Sequence, residues 1–332
     1  MTVKFPFRST LILGVIGFLA IVLPVLLMRA RIIDPYTTRI ITMGGVNAIM
    51  AMSVNMIVGI TGQLSLGQAG FMAIGAYSCI FFSLDLALPL PLAALCAALF
   101  TAFCGFLIGF PVMKFSGDYL AIVTLGFGEI IRVVFNNLRT ITGGPNGRQF
   151  VTEMVLNGEL AFIVTTITLV IVLALLMNFL RSTYGRAIMA CREDEIAANA
   201  SGINTFRYKM TGFVIAAFLA GIGGCLFAMA VGFVRPDVAA FIRSVDYLIF
   251  VVLGGMGSMT GSILAAYVLT YLQEMLRFLQ DYRLLIYPLI LILFMMFRPK
   301  GLLGTKEFSF VGFVNKINDR FLKRKQKLEM NA

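Results

Sequence analysis

Residues 160–180 read LAFIVTTITLVIVLALLMNFL, a run of twenty-one positions without a charged side chain. The hydrocarbon layer of a bilayer is about 30 Å thick, and a helix crosses it with roughly 20 apolar residues. The run is too long and too uniformly apolar for the alternating strands of a membrane barrel. Inside lipid the backbone must satisfy its own hydrogen bonds, so a helix is the remaining solution. The whole chain is built this way. Of its 332 residues 59% are apolar and 13% charged, against about 45–50% and about 25% in soluble domains. The sequence therefore predicts an all-α, polytopic helical membrane protein.

Working outward from that run, the other expected spans are Leu11–Met28, Thr38–Ile60, Ala69–Leu88, Leu92–Met113, Tyr119–Phe135, Thr211–Gly232, Val245–Leu253, Thr260–Met275 and Leu284–Phe297. That gives about ten transmembrane segments, with one or two broken helices. Leu11–Met28 follows Lys4 and Arg8 but is long for a signal peptide and lacks a small-residue cleavage site, so it reads as a retained helix. The segment Val245–Leu253 is short and ends at GGMGS, Gly254–Ser258, which reads as a break or a half-helix.

With the N-terminus inside, the inner segments hold seventeen Lys and Arg and the outer loops nine. The excess of basic residues on one side supports both termini in the cytoplasm. The net charge of +11 is weighted to the tail, RFLKRKQK at Arg320–Lys327. That position suits anchoring near anionic lipid rather than nucleic-acid binding. A transmembrane domain of residues 1–304 and a basic cytoplasmic tail of residues 305–332 follow. Histidine is absent, and the five cysteines form no CxxC pair. No catalytic or metal-ligating set is expected.

Three polar features interrupt the apolar blocks. Glu129 and Arg132 lie i, i+3 on one face of the fifth span. Charges at membrane depth cost about 2.5–3.5 kcal/mol each on insertion scales and so face protein or water. They read either as part of a water-filled path or as a structural ion pair. Gly126 and Gly128 beside them, after Thr124, allow close backbone approach or a bend. Two glycine-rich, uncharged stretches, TGQLSLGQAG at 61–70, with Gly67, and GGMGSMTGS at 254–262, with Gly254 and Gly255, read as gates at broken helices or as tight turns.

The third feature is YGRAIMACREDEIAANASGIN, residues 184–204. Glu193, Asp194 and Glu195 suit a first helical turn, and Asp194 suits the N-cap. Ala197, Ala198 and Ala200 favour helix, and Gly202 suits the left-handed position after it. Two or three turns result, with the option of continuing from Arg186–Cys191. So short a helix is marginal alone in water, so it docks on the chain's own membrane domain or on a partner.

The stretch 185–228 resembles the cytoplasmic loop and following span of ABC-type branched-chain amino acid importer permeases, specifically the second, M-type permease. GDYLAIVTLGFGEIIR at 117–132, ITGGPNG at 141–147, VVLGGMGSMTG at 251–261 and FRPKGLLG at 297–304 are similar to signatures of the same family, in the same order. The resemblance implies an importer permease that pairs with a second permease subunit. It also implies two cytoplasmic ABC ATPases, with ATP and Mg bound on those partners, and an extracytoplasmic substrate-binding protein. The loop 181–209 would then be the coupling element, with Gly185, Arg186, Arg192, Glu193, Asp194, Glu195, Ala197, Ala198 and Gly202 carrying that role. No G-x-x-x-x-G-K-[ST] motif occurs, so the phosphate-binding loop must belong to another chain. Related permeases carry urea, amides or small carboxylates, which stay open as substrates. An ion-coupled secondary transporter would need several intramembrane acids, and Glu129 is the only clear one.

Overall fold

The computed structural model describes residues 34–115, 117–298 and 301–304. The expected span Leu11–Met28 and the tail 305–332 lie outside the described residues. Each of the nine remaining expected spans falls on a helix: α1 (Pro35–Asn55), α2 (Gln68–Ile80), α3 (Leu90–Val112) and α4 (Asp118–Asn137) come first. After a short α5 (Arg139–Thr142) and α6 (Glu153–Leu156) come α7 (Gly158–Arg181), α8 (Thr183–Glu193), α9 (Glu195–Ala200) and α10 (Thr205–Val231). The last three are α11 (Phe241–Gly254), α12 (Met259–Met275) and α13 (Arg283–Phe297). Four stretches, Pro35–Ile60, Leu90–Val112, Gly158–Arg181 and Thr205–Val231, are long and apolar enough to cross a bilayer. The fold is that of an all-α membrane protein.

At the centre stands α1. Val46, Ala48, Ile49, Met50, Ala51 and Met52 are all fully enclosed, by α12 and α11 on one side and α10 and α7 on the other. A helix apolar all round is a buried helix. Its last turn widens into a π-helical stretch, Met56–Ile60. The other organising element is α10, which packs along α2, α3 and α1. Lipid tails are as apolar as leucine, so no hydrophobic force draws spans together, and close backbone approach has to supply the packing. α10 supplies it with a row of small residues, Ala216, Ala217, Ala220, Gly221 and Gly224, all buried. At the α2 crossing a methyl group on Gly75 would sit 2.5 Å from the Gly221 carbonyl oxygen. Ser53 ties three helices, its Oγ donating to the Ala216 carbonyl at 2.7 Å and lying 3.1 Å from the Gln68 side-chain amide.

α10 begins at Thr205, six residues before the expected span at Thr211. Asn204 caps it by accepting the Arg207 N–H at 3.1 Å, so its first turns project from the apolar block. α3 turns Leu95, Leu99, Phe103 and Leu107 outward. An apolar face of this extent suits lipid.

The longest connection, between α4 and α7, is packed down. Arg148–Gln149 (β1) pairs antiparallel with Phe233–Val234 (β2), with Arg148 opposite Val234. Arg148 grips Asp85 with both terminal nitrogens, at 2.9 and 2.7 Å, and Phe150 is buried. This two-residue ribbon is the one departure from an all-helical chain among the described residues.

Candidate functional site

The loop 181–209 forms two helices rather than one. Ser182 closes α7 and opens α8, its Oγ accepting the Gly185 N–H at 3.3 Å. Gly185 lies against the backbone of Phe179 and Leu180, which leaves no room for a side chain at this elbow. Arg186 stays at the surface near the Arg181 carbonyl and Thr183. α8 turns Ala187, Ile188 and Cys191 inward, and burial raises the Cys191 thiol above its ordinary pKa.

The continuous helix from Arg186 does not form. Asp194 adopts an extended conformation (φ −154°, ψ 110°) that ends α8 and starts α9. Its Oδ1 accepts the N–H groups of Ile196 and Ala197 at 2.9 and 3.0 Å. The three acids are thereby separated. Glu193 is the last residue of α8, Asp194 is the cap, and Glu195 opens α9 and pairs with Lys209. The C-terminal end of α9 follows the sequence reading. Gly202 has φ +82°, the Gly202 N–H reaches Asn199 O at 2.9 Å and the Ile203 N–H reaches Ala198 O at 3.0 Å. This is the Schellman arrangement.

The alanines of α9 do not share one exposed face. Ala198 is buried, Ala197 is exposed, and Ile196 is 83% exposed. Tyr184, on α8, is also exposed, and the Glu193 side chain is 77% exposed. Ile196 is thus an apolar side chain open to solvent, with Glu193, Asp194 and Glu195 just before it in the sequence. Ile196 and Tyr184 were missed from sequence because the alanines drew the helix reading and the split at Asp194 rotates the face.

The glycine-rich stretch 61–70 and its neighbours come together. The Leu66 N–H donates to Thr124 Oγ1 at 3.0 Å, and the Ala69 N–H to Ser244 Oγ at 3.1 Å. A methyl group on Gly67 would lie 2.7 Å from the Thr124 carbonyl oxygen, and one on Gly70 would lie 3.1 Å from Gly128 Cα. Thr124, Gly67 and Gly128 thus form one seam, while Gly126 faces open space with nothing within 4 Å. Inside the seam Ser65 Oγ and Gln68 Nε2 are buried without a hydrogen-bond partner.

Glu129 and Arg132 form the ion pair, Nε to Oε2 at 2.7 Å, each side chain about one-third exposed. The other Glu129 oxygen accepts the Phe241 N–H at 3.1 Å. Phe241 is the first residue of α11, so the carboxylate faces the positive end of that helix. α11 has 14 residues, about 21 Å at 1.5 Å per residue, and is short of a full crossing. It ends at Gly254, which packs on Gly261, and Gly255 lies against Gly304. The segment 301–304 folds back here: the N–H groups of Leu302 and Leu303 donate to the Leu253 and Gly254 carbonyls at 2.7 and 3.3 Å. These bonds satisfy carbonyls that a helix end leaves open.

The two breaks meet. Asn55 Oδ1 accepts the Gly257 N–H at 2.9 Å, which joins the end of α1 to the gap between α11 and α12. Arg192 of α8 reaches the same point, its Nη1 donating to the Gly59 carbonyl. Asn55 and Gly59 had no place in the sequence reading, and Gly62 and Gly257 entered it only within the two glycine-rich stretches, because the contacts that join them are long-range.

Residues 36–296 match the family model described as branched-chain amino acid transport system / permease component. The high-affinity branched-chain amino acid transport system permease protein LivM of Escherichia coli K12 is 38% identical, over 89% of this chain and 75% of the relative. LivM of Salmonella typhimurium LT2 is 40% identical, over 80% and 69%. The permease protein LivH of Salmonella typhimurium LT2 is 24% identical, over 80% and 94%. No solved structure matches the chain. The chain belongs to the permease-component family of branched-chain amino acid transport systems.

Proposed function

We propose that the protein is the LivM-type permease subunit of an ATP-driven importer for branched-chain, hydrophobic amino acids. The observation that carries this reading is identity of 38% and 40% to two LivM permeases over most of the chain. The protein is a transport subunit and not an enzyme. The similarity to LivH supports pairing with a second, related permease. In this reading two cytoplasmic ATPases bind ATP and Mg and dock on the loop 181–209. An extracytoplasmic binding protein delivers the amino acid.

The fuller topology belongs to the same proposal. About ten segments cross the membrane, residues 1–304 form the permease domain, and the tail 305–332 and the N-terminus lie in the cytoplasm. The meeting of the loop with the ends of α1 and α11 supports placing all three on one side. The seam of Gly67, Thr124 and Gly128, with the unpartnered Ser65 Oγ and Gln68 Nε2 beside it, lines or gates the path. Buried polar atoms without protein partners suit a surface that meets water or a polar group of the substrate. Glu129, Arg132, Gly254 and Gly255 hold the half-length α11 against it.

The substrate class is tested in a host lacking its own branched-chain importer and supplied with this chain and its partner subunits. Uptake of radiolabelled leucine at micromolar concentration is expected, with competition by isoleucine and valine. Competition by urea or acetamide in their place would reassign the substrate.

A further inference from the structure

Arg192 is turned partly inward from the loop, with 33% of its side chain exposed against 77% for the neighbouring Glu193. Three glycines make the slot that takes it. A methyl group on Gly62 would lie 2.9 Å from Arg192 Cγ, and one on Gly257 would lie 3.3 Å from Nη1. The guanidinium donates to the Gly59 carbonyl in the π-helical end of α1. Its contact with Glu193, at 3.9 Å, is long and solvent-exposed, and contributes little.

The location explains the attraction. α1 with its π-helical extension ends at Ile60, and α11 ends at Gly254. Both helices carry a partial negative charge at these ends, and the Gly59 carbonyl is the one Arg192 takes. The Asn55–Gly257 hydrogen bond clasps the two ends together, and one cation from α8 is set against the joint. Gly257, at φ +91°, keeps the gap between α11 and α12 open enough for this approach.

We infer that Arg192 is a positioning residue that links movement of the coupling helices to the paired breaks at Gly59 and Gly257, rather than a contact for the ATPase. This rests on the importer reading above and adds a route for force within the chain. α8 is a rigid 11-residue rod with its inner face packed on the membrane domain. When α8 and α9 shift, the forked guanidinium pulls on the end of α1 and, through Asn55, on the α11–α12 gap. The path seam at residues 61–70 begins immediately after that end.

The test uses the complete complex of both permeases and both ATPases in proteoliposomes with loaded binding protein. Arg192→Met keeps the stem over Gly62 and removes the cation. The expected result is normal co-purification of the ATPases and normal basal ATP hydrolysis, with leucine moved per ATP reduced tenfold or more. Arg192→Lys, which retains one charged donor, is expected to recover part of that ratio. An unchanged ratio in Arg192→Met overturns the inference, and so does loss of ATPase co-purification, which would assign the residue to docking. Hydrogen exchange on the unmodified complex decides the matter independently of how the variants fold. Segments 56–63 and 254–259 are expected to change on nucleotide binding together with 183–200. A response confined to 183–200 overturns the inference. Failure of the unmodified complex to couple ATP to uptake would instead overturn the importer reading itself.

Discussion

Asp194 interrupts what would otherwise be one helix and caps the next, with one carboxylate oxygen accepting two N–H groups. The cap was legible because an acid before an alanine-rich run is a local pattern. Its consequence for the helix before it was less legible, because the same residue could also have continued α8. Asp194→Ala is expected to cost α9 about 1 kcal/mol, read as a rise of about fivefold in hydrogen exchange at Ile196 and Ala197. Asp194→Ser is expected to keep exchange near the original rate. Arg192, two residues earlier, is the opposite case. Nothing in REDE distinguishes a solvated arginine from one held by Gly59, Gly62 and Gly257. Those partners lie 65 to 133 residues away in sequence.

The elements themselves followed from composition, since each expected span within residues 34–298 became a helix. Their interruptions also followed, at 61–70 and 254–258, because glycine clusters between apolar runs are local punctuation. What sequence could not give is which surfaces those interruptions share. Gly126 and Gly128 look alike in the sequence, but one faces open space and the other meets Gly70. Glu129 and Arg132 could be placed on one face, whereas the Phe241 N–H bonded to Glu129 comes from a helix more than 100 residues on.

For α9 the exposed face follows from the break before it, and Ile196 is its apolar centre. Ile196→Glu is expected to reduce ATPase co-purification at least tenfold with the thermal midpoint of the permease unchanged. The exposed side chain makes few contacts within its own chain, so retained co-purification would remove α9 from the docking surface.

At the scale of the molecule, the class of the protein was readable from the first apolar run, and the arrangement of its helices was not. The small residues of α10 are ordinary in a membrane helix, and only contact with Gly75 and Met72 of α2 shows them to be the packing seam. The burial of α1 similarly depends on the helices that surround it. This arrangement places a loop with an exposed apolar centre beside two helix breaks, and it contains no phosphate-binding motif of its own. In the proposed reading the energy comes from partner ATPases acting through that loop. The most direct test is leucine uptake into proteoliposomes containing this chain, its partner permease and the ATPases, with loaded binding protein on the substrate side. The account predicts accumulation that requires ATP on the ATPase side and persists when proton and sodium gradients are collapsed. Accumulation by the permeases alone, driven by an ion gradient and indifferent to ATP, would contradict it.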